Sequence, residues 1–283
     1  MIDGWKYYNH AMIPTTAPHE IPDLTPIKSG SIWNRLREGM PLLARWTSDF
    51  DCGYETEWWY CIKDSPFDIR KLNSKRRYEI NKGERNFDVR VIDPAKYKNA
   101  LFKIQVAAYS AYPKKYRPVV KEESFKSDID KWNNCLIFGG FVKGTENLIG
   151  YALLTEHENY VDFNNLRVRP ECEKQAINAV MVAEILKHYE SRLSKSFYIC
   201  DGSRNINHET AFQDYLEKYF VFRKAFCKLY VSYNKKIKWI IELSFPFRRI
   251  LRRFDGIQAF HHLNALLKME KIVRMQGRKP YQL

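Results

Sequence analysis

The stretch LRVRPECEKQAINAVMVAEILKHY, residues 166–189, decides how this chain folds. Its first residues close YVDFNNLRV, where β-branched and aromatic side chains favour a strand. Pro170 stops that strand, and from Ala176 onward apolar residues recur at the spacing of a helix. The segment is therefore a strand, a tight loop and a long helix. A helix start offers unpaired N–H groups to an anion, usually on a glycine-rich loop. This loop holds no glycine. It is either an altered phosphate cradle, a site for another group, or a turn.

Outward from this point the elements fall in a regular order. FDVRVID alternates as a strand, and PAKYKNALFKIQVAAYSAYP carries helical spacing behind Pro94. EESFKSDIDKWNN fits a second helix, and CLIFGGFVKG and NLIGYALLTE are two strands joined by a turn at GTEN. After the opening segment come a strand at SFYICDG, a helix at NHETAFQDYLEKY and a strand at FVFRKAFCKLYVSY. The order from residue 87 predicts an α/β domain, a mixed and mostly antiparallel sheet with helices on both faces. Upstream, residues 1–30 are rich in Pro and Thr and suggest an extended arm. PLLARWTSDF and TEWWYCIKD suggest strands, and LNSKRRYEINKGERN a basic helix that ends at Gly83. Three segments result: an N-terminal extension over 1–74, the α/β domain over 75–233, and a basic helical tail over 234–283.

Composition narrows the function classes. The chain of 283 residues carries a formal charge of +14. Residues 234–283 hold 12 Lys/Arg against 3 Asp/Glu, a surplus of 9, so the other 233 residues carry only +5. The six cysteines form no C-x-x-C pair, and with no secretory segment near the start they suggest reduced thiols in a cytoplasmic protein. The histidines show no zinc spacing, so no metal is expected. No apolar run approaches the roughly 20 residues that span a bilayer.

In element order and in three short motifs, residues 75–233 resemble the GNAT superfamily of N-acetyltransferases, and within it the Fem-type aminoacyltransferases. The first motif is the loop itself. In GNAT enzymes the fourth strand leads into Arg/Gln-x-x-Gly-x-Gly/Ala, which holds the coenzyme A pyrophosphate. The match sets Leu166 and Val168 on that strand, Glu173 at the Arg/Gln position, Ala176 and Asn178 at the glycines, and Ile177 between them. The second is HETAFQDY, similar to Asn-x-x-Ala-x-x-x-Tyr, with His208 in the Asn position, Ala211 in register and Tyr215 as the acid that protonates a leaving group. The third is KRRYEINKGERNFDVRVI, similar to a Fem-type segment. The resemblance implies an acyl-CoA (acetyl-CoA) donor or, as in the Fem branch, an aminoacyl-tRNA.

Acyl transfer to an amine needs a base, an acid and oxyanion donors. Asp201 and Asp162 are the candidate catalytic carboxylates, beside His208 and Tyr215. Arg204, Asn205 and Glu156 are candidate substrate contacts. Asp201, Arg204, Asn205 and His208 share one short stretch at a strand end, where open α/β sheets bind ligands. The tail mixes Trp239, Ile240, Ile241, Leu243, Phe245 and Phe247 with Arg248, Arg249, Arg252 and Arg253, and Pro246 should divide it. Residues 235–275 suit an anionic membrane surface on the inner face, packing on the domain, or RNA. The expected activity is acyl transfer to a small-molecule or lipid-linked amine, such as an amino sugar or another envelope precursor. The alternatives are a tRNA-dependent Fem-type transferase and a non-catalytic scaffold at the membrane.

Overall fold

A computed structural model describes residues 2–112, 117–204, 206 and 211–276. The chain opens with β1 (Trp5–Tyr8), β2 (Ala11–Pro14), α1 (Thr25–Ser29), β3 (Leu43–Ser48) and β4 (Trp58–Lys63). It continues through α2 (Ser74–Asn86), β5 (Phe87–Val91), α3 (Lys98–Ser110), α4 (Glu122–Ile129), β6 (Cys135–Val142) and β7 (Leu148–Glu156). Then come β8 (Tyr160–Val168), α5 (Ile177–His188), β9 (Tyr198–Ser203), α6 (Ala211–Phe220) and β10 (Arg223–Tyr233). It ends with α7 (Lys235–Ser244), α8 (Arg248–Leu251) and α9 (Gln258–Gln276). The fold is α/β with mostly antiparallel strands.

Two compact units result. One is Ile62–Gly202 with Phe212–Arg223; the other is Met1–Cys61 with Ser203–Ala211 and Lys224–Leu283. The first 61 residues and the tail fall in the same unit.

In the unit of Ile62–Gly202 the strands run in the order β9-β8-β7-β6-β5. One face packs under α3 and α4 through Leu101, Ile104, Ile129, Ile137, Phe141, Tyr151 and Leu153. The other face lies under α5, whose Ile177, Val180, Met181 and Ile185 are all buried. Gly150 makes that approach close, because a Cβ there would stand 3.1 Å from the Met181 sulfur and 2.9 Å from Val168 Cγ1. Alternation along β6 and β7 thus has two apolar sets to bury, as expected of a sheet covered on both faces.

In the other unit the order is β1-β2-β3-β10-β4. The expected extended arm is instead a hairpin. Asn9 and His10 both take positive φ, 46° and 63°, which is the two-residue turn that matches strand twist. It brings Trp5 and Met12 against Ile32 and Ala44 in a small core. The Pro- and Thr-rich composition hid this turn, since its signal rests on two residues without glycine. In the tail, α9 packs inward through Leu267, Met269 and Ile272. Gln276 locks it by exchanging two 2.7 Å hydrogen bonds with the Leu229 backbone. Among the described residues no helix is long and apolar enough to cross a membrane.

Candidate active site

β8 and β9 are parallel, and their register covers only Tyr160↔Tyr198, Val161↔Ile199 and Asp162↔Cys200. Both strands run further. On its other side β8 pairs with β7 as far as Val168↔Gly150, but between Leu153↔Asn165 and Leu154↔Phe163 the register slips, which leaves Asn164 without an opposite residue. Such a bulge bends a strand and increases its twist. β8 therefore leaves β9 from Phe163 onward, and a wedge opens with Phe163–Val168 on one side and Asp201 at the start of the other.

The backbone of β8 faces this wedge in a defined way. The Arg169 N–H donates to Ile149 O of β7 at 2.9 Å. Alternation along the strand then turns the N–H and C=O groups of Val168 and Leu166 away from β7, into the wedge. The Leu166 carbonyl accepts at 3.2 Å from Nη1 of Arg167. That guanidinium also lies 5.3 Å from the Tyr109 ring. Arg167 Nε and Asn165 Oδ1 are buried without a hydrogen-bond partner among the described residues. A buried unpaired polar group is costly, and a bound ligand is one way to satisfy it. Nearby, the Tyr151 hydroxyl donates to Gln105 Oε1 at 2.6 Å. Sequence reasoning passed over Arg167 and Asn165; the signal was there in FNNLRV, a strand with polar residues where a doubly covered sheet wants apolar ones.

Asp201 is the first residue of β9 past the paired stretch. Alternation places it on the α6 face with Ile199. Gln213 Nε2 donates to its carbonyl at 3.1 Å. Burial pushes the carboxyl up to about 8, with a hydrogen bond from Gln213 opposing that rise. Asp162 points to the opposite face and pairs with His157 Nε2 at 3.2 Å, where the His157 ring stacks on Tyr160 at 4.2 Å. The two candidate carboxylates therefore do not converge.

Tyr215 sits on α6, behind Phe212, which meets Phe163 edge-on at 5.5 Å. Its hydroxyl accepts from Arg76 Nη1 at 3.3 Å. Arg76 is only 4% exposed and pairs with Glu79 at 2.5 Å. Burial raises the Tyr215 phenol well above its ordinary value, so it keeps its proton. Ala211 is the exposed first residue of α6. His208 and Asn205 lie outside the described residues. Arg204 belongs to the other unit, where it pairs with Glu57 at 3.0 Å and lies 4.7 Å from the Trp59 ring. Glu156 is held by Arg192 at 3.1 Å, an ion pair at the far end of β7.

The glycine-free loop folds as a 3-10 turn over Pro170–Gln175, and Ala176 closes it in the left-handed region at φ 69°. Glu173 is exposed, and its carbonyl accepts the Ala176 N–H at 2.9 Å. Ile177 is wholly buried, while Asn178 is half-buried. Helix α2 lies on this corner: a Cβ at Gly83 would meet Val180 Cβ at 2.7 Å and the Ala176 carbonyl at 2.9 Å. Lys82 Nζ donates to the Lys174 carbonyl at 2.8 Å. A helix start and a left-handed kink are thus present, as a phosphate cradle requires. The close approach that glycine gives is not, and Glu171 and Glu173 oppose an anion. As a coenzyme A cradle the corner is incomplete.

Element order, wedge and kinked loop agree with the GNAT-like fold expected from the sequence. No family model matches the chain, and no curated protein matches it. Among solved structures the similar ones include L-PGS from Bacillus licheniformis, at 14% identity and a TM-score of 0.48, covering 82% of this chain and 80% of that one. A C-terminal DUF2156 domain from Agrobacterium fabrum has 9% identity and a TM-score of 0.48, covering 84% and 82%. FemX has 9% identity and a TM-score of 0.43, covering 62% and 60%.

Proposed function

We propose that the unit of Ile62–Gly202 is an acyltransferase that moves an activated acyl group to an amine within the wedge between β8 and β9. The observation that carries this reading is the free edge of β8, where alternation turns the Leu166 and Val168 N–H groups toward the side on which Asp201 begins. The amine needs to lose a proton before it attacks, and a carboxyl with a pKa of about 8 holds and releases protons near neutral pH. Attack on the acyl carbonyl forms a tetrahedral oxyanion. The two N–H groups are the donors for that charge, and the Arg167 guanidinium adds to their field. Collapse of the intermediate expels the leaving group, which takes a proton from a neutral acid. Tyr215 is a candidate, since its phenol keeps its proton and Arg76 orients it.

A second reading concerns the donor. The close seat of α2 on the start of α5 and the two acidic residues in the loop disfavour a pyrophosphate at this corner, which leaves room for an aminoacyl-tRNA ester whose phosphates are held elsewhere. The acceptor class is an amine on an amino sugar or another envelope precursor, soluble or lipid-linked.

The test is transfer of a radiolabelled acyl group from acetyl-CoA and from charged tRNA to a panel of amino sugars. Parent protein is expected to transfer from one donor, and Asp201→Asn to lose at least a hundredfold in rate. A variant that transfers as fast as the parent removes Asp201 from the chemistry. Absence of transfer and of donor binding with both donors would favour the scaffold alternative instead.

A further inference from the structure

The tail carries a surface that the transferase reading does not use. Helix α7 is anchored inward by Ile241, which is 1% exposed. Its outward face is apolar as well: Trp239 is 67% exposed and Leu243 68%, with Ile240 beside them. The spacing 236, 239, 240, 243 puts Lys236 on that face too. The apolar surface continues past Pro246 through exposed Phe247, Ile250, Phe254 and Ile257. A helix on a water-facing surface normally turns polar residues outward. Seven large apolar side chains exposed within 19 residues of one segment are not explained by packing.

The same segment is strongly basic. Residues 235–254 hold Lys235, Lys236, Lys238, Arg248, Arg249, Arg252 and Arg253 against the single acid Glu242, a net charge of +6. Lys235, Lys236, Lys238, Arg249, Arg252 and Arg253 are all exposed. Phe245 is set apart from this surface, because the guanidinium groups of Arg248 and Arg274 lie 4.4 and 4.0 Å from its ring.

We infer that α7, α8 and the turn beyond them form a docking surface for an anionic lipid bilayer. Apolar side chains enter the acyl boundary while Lys and Arg meet the headgroups, and neither half alone defines the partner. A duplex or tRNA backbone would attract the charges but leave the Trp, Leu and Ile side chains unmatched. Charge complementarity disfavours a second copy of the same basic surface. The inference rests on the tail and not on the transferase reading.

The experiment is co-sedimentation of the full chain with vesicles of phosphatidylglycerol and phosphatidylcholine in equal parts, with pure phosphatidylcholine vesicles alongside. Binding is expected to the anionic vesicles, at least tenfold weaker to the neutral ones, and weakened by 0.5 M salt. Trp239→Ser with Leu243→Ser, and separately Arg249→Gln with Arg253→Gln, should each weaken partition at least tenfold with the melting temperature unchanged. All four residues are exposed, so a fold defect is distinguishable by that temperature. Equal binding by parent and both variants, or no binding to anionic vesicles, overturns the inference. So does a parent that dimerises through this face, seen as a monomer on Trp239→Ser, or one held by tRNA but not by vesicles.

Discussion

Arg76 donates to the Tyr215 hydroxyl at 3.3 Å while its guanidinium carbon lies 3.8 Å from the Tyr219 ring. One side chain of α2 thus positions two rings of α6, and Glu79 balances its charge at 2.5 Å. The guanidinium is planar and holds both a hydrogen bond and a ring face, which an ammonium does not do equally well. Arg76 is the residue through which the basic helix before β5 acts on the candidate acid.

Replacing Arg76 by Ala should therefore destabilise the protein by about 3 kcal/mol, since it removes a buried cation and leaves Glu79 and the phenol without their partner. Urea unfolding measures this. Arg76→Lys should recover less than half of the loss. Tyr215→Phe should cost under about 1.5 kcal/mol, because only one hydrogen bond goes.

The Asp201 carboxyl titrates at about 8 instead of 3.8. The folded state then holds a proton that the unfolded chain has released. Its contribution to stability is fully present below pH 3.8 and is lost as pH rises toward 8. Asp201→Asn removes that falling limb, so the variant should melt higher than the parent at pH 8.5 and lose the difference at pH 4. Transfer rate in the parent should rise with pH through about 8, as expected when the deprotonated carboxyl is the base.

The corner between α2 and α5 gives opposite signs at two positions. Gly83→Ala drives a methyl to 2.7 Å from Val180 Cβ and 2.9 Å from the Ala176 carbonyl, so α2 must shift. A loss of about 2 kcal/mol is expected from such overpacking. Ala176→Gly relieves a left-handed alanine at φ 69° and should stabilise by up to about 1 kcal/mol. Thermal melting of the two single variants checks both signs.

Lys63 is 2% exposed, and burial pushes its ammonium down to about 8, with Asp64 opposing the fall. Its penalty is present below pH 8 and relieved as pH rises from 8 to 10.5. Lys63→Met should stabilise by about 1–2 kcal/mol at pH 7, and by less at pH 10. Denaturation at the two pH values separates this from a packing gain.

Much of the fold was legible. Pro94 ahead of an apolar periodic stretch marked the helix over Lys98–Ser110, and the turn at GTEN joined β6 to β7. Local patterns of this kind survive because each is set by residues adjacent in sequence. The hairpin at Asn9 and His10 was missed, since its evidence in the chain is a bare pair of residues among prolines. Of the candidate site, Asp201 was named from its polar stretch at a strand end and Tyr215 from its motif. Their partners Gln213 and Arg76 were not, because contacts 12 and 139 residues apart leave no periodic trace.

The sequence by itself determined most strands and helices from residue 43 onward, that the loop at 169–176 has no glycine, and that positive charge gathers in the tail. Only the tertiary structure decided the rest. A single bulge at Asn164 opens β8 from β9, and that depends on register between strands, which no window of sequence contains. Tertiary packing also divided the tail, burying Ile241 and Met269 and leaving Trp239 and Leu243 outside. Both sets are equally apolar in sequence. What separates them is which face of each helix meets the core, and that follows from how α7 and α9 are seated.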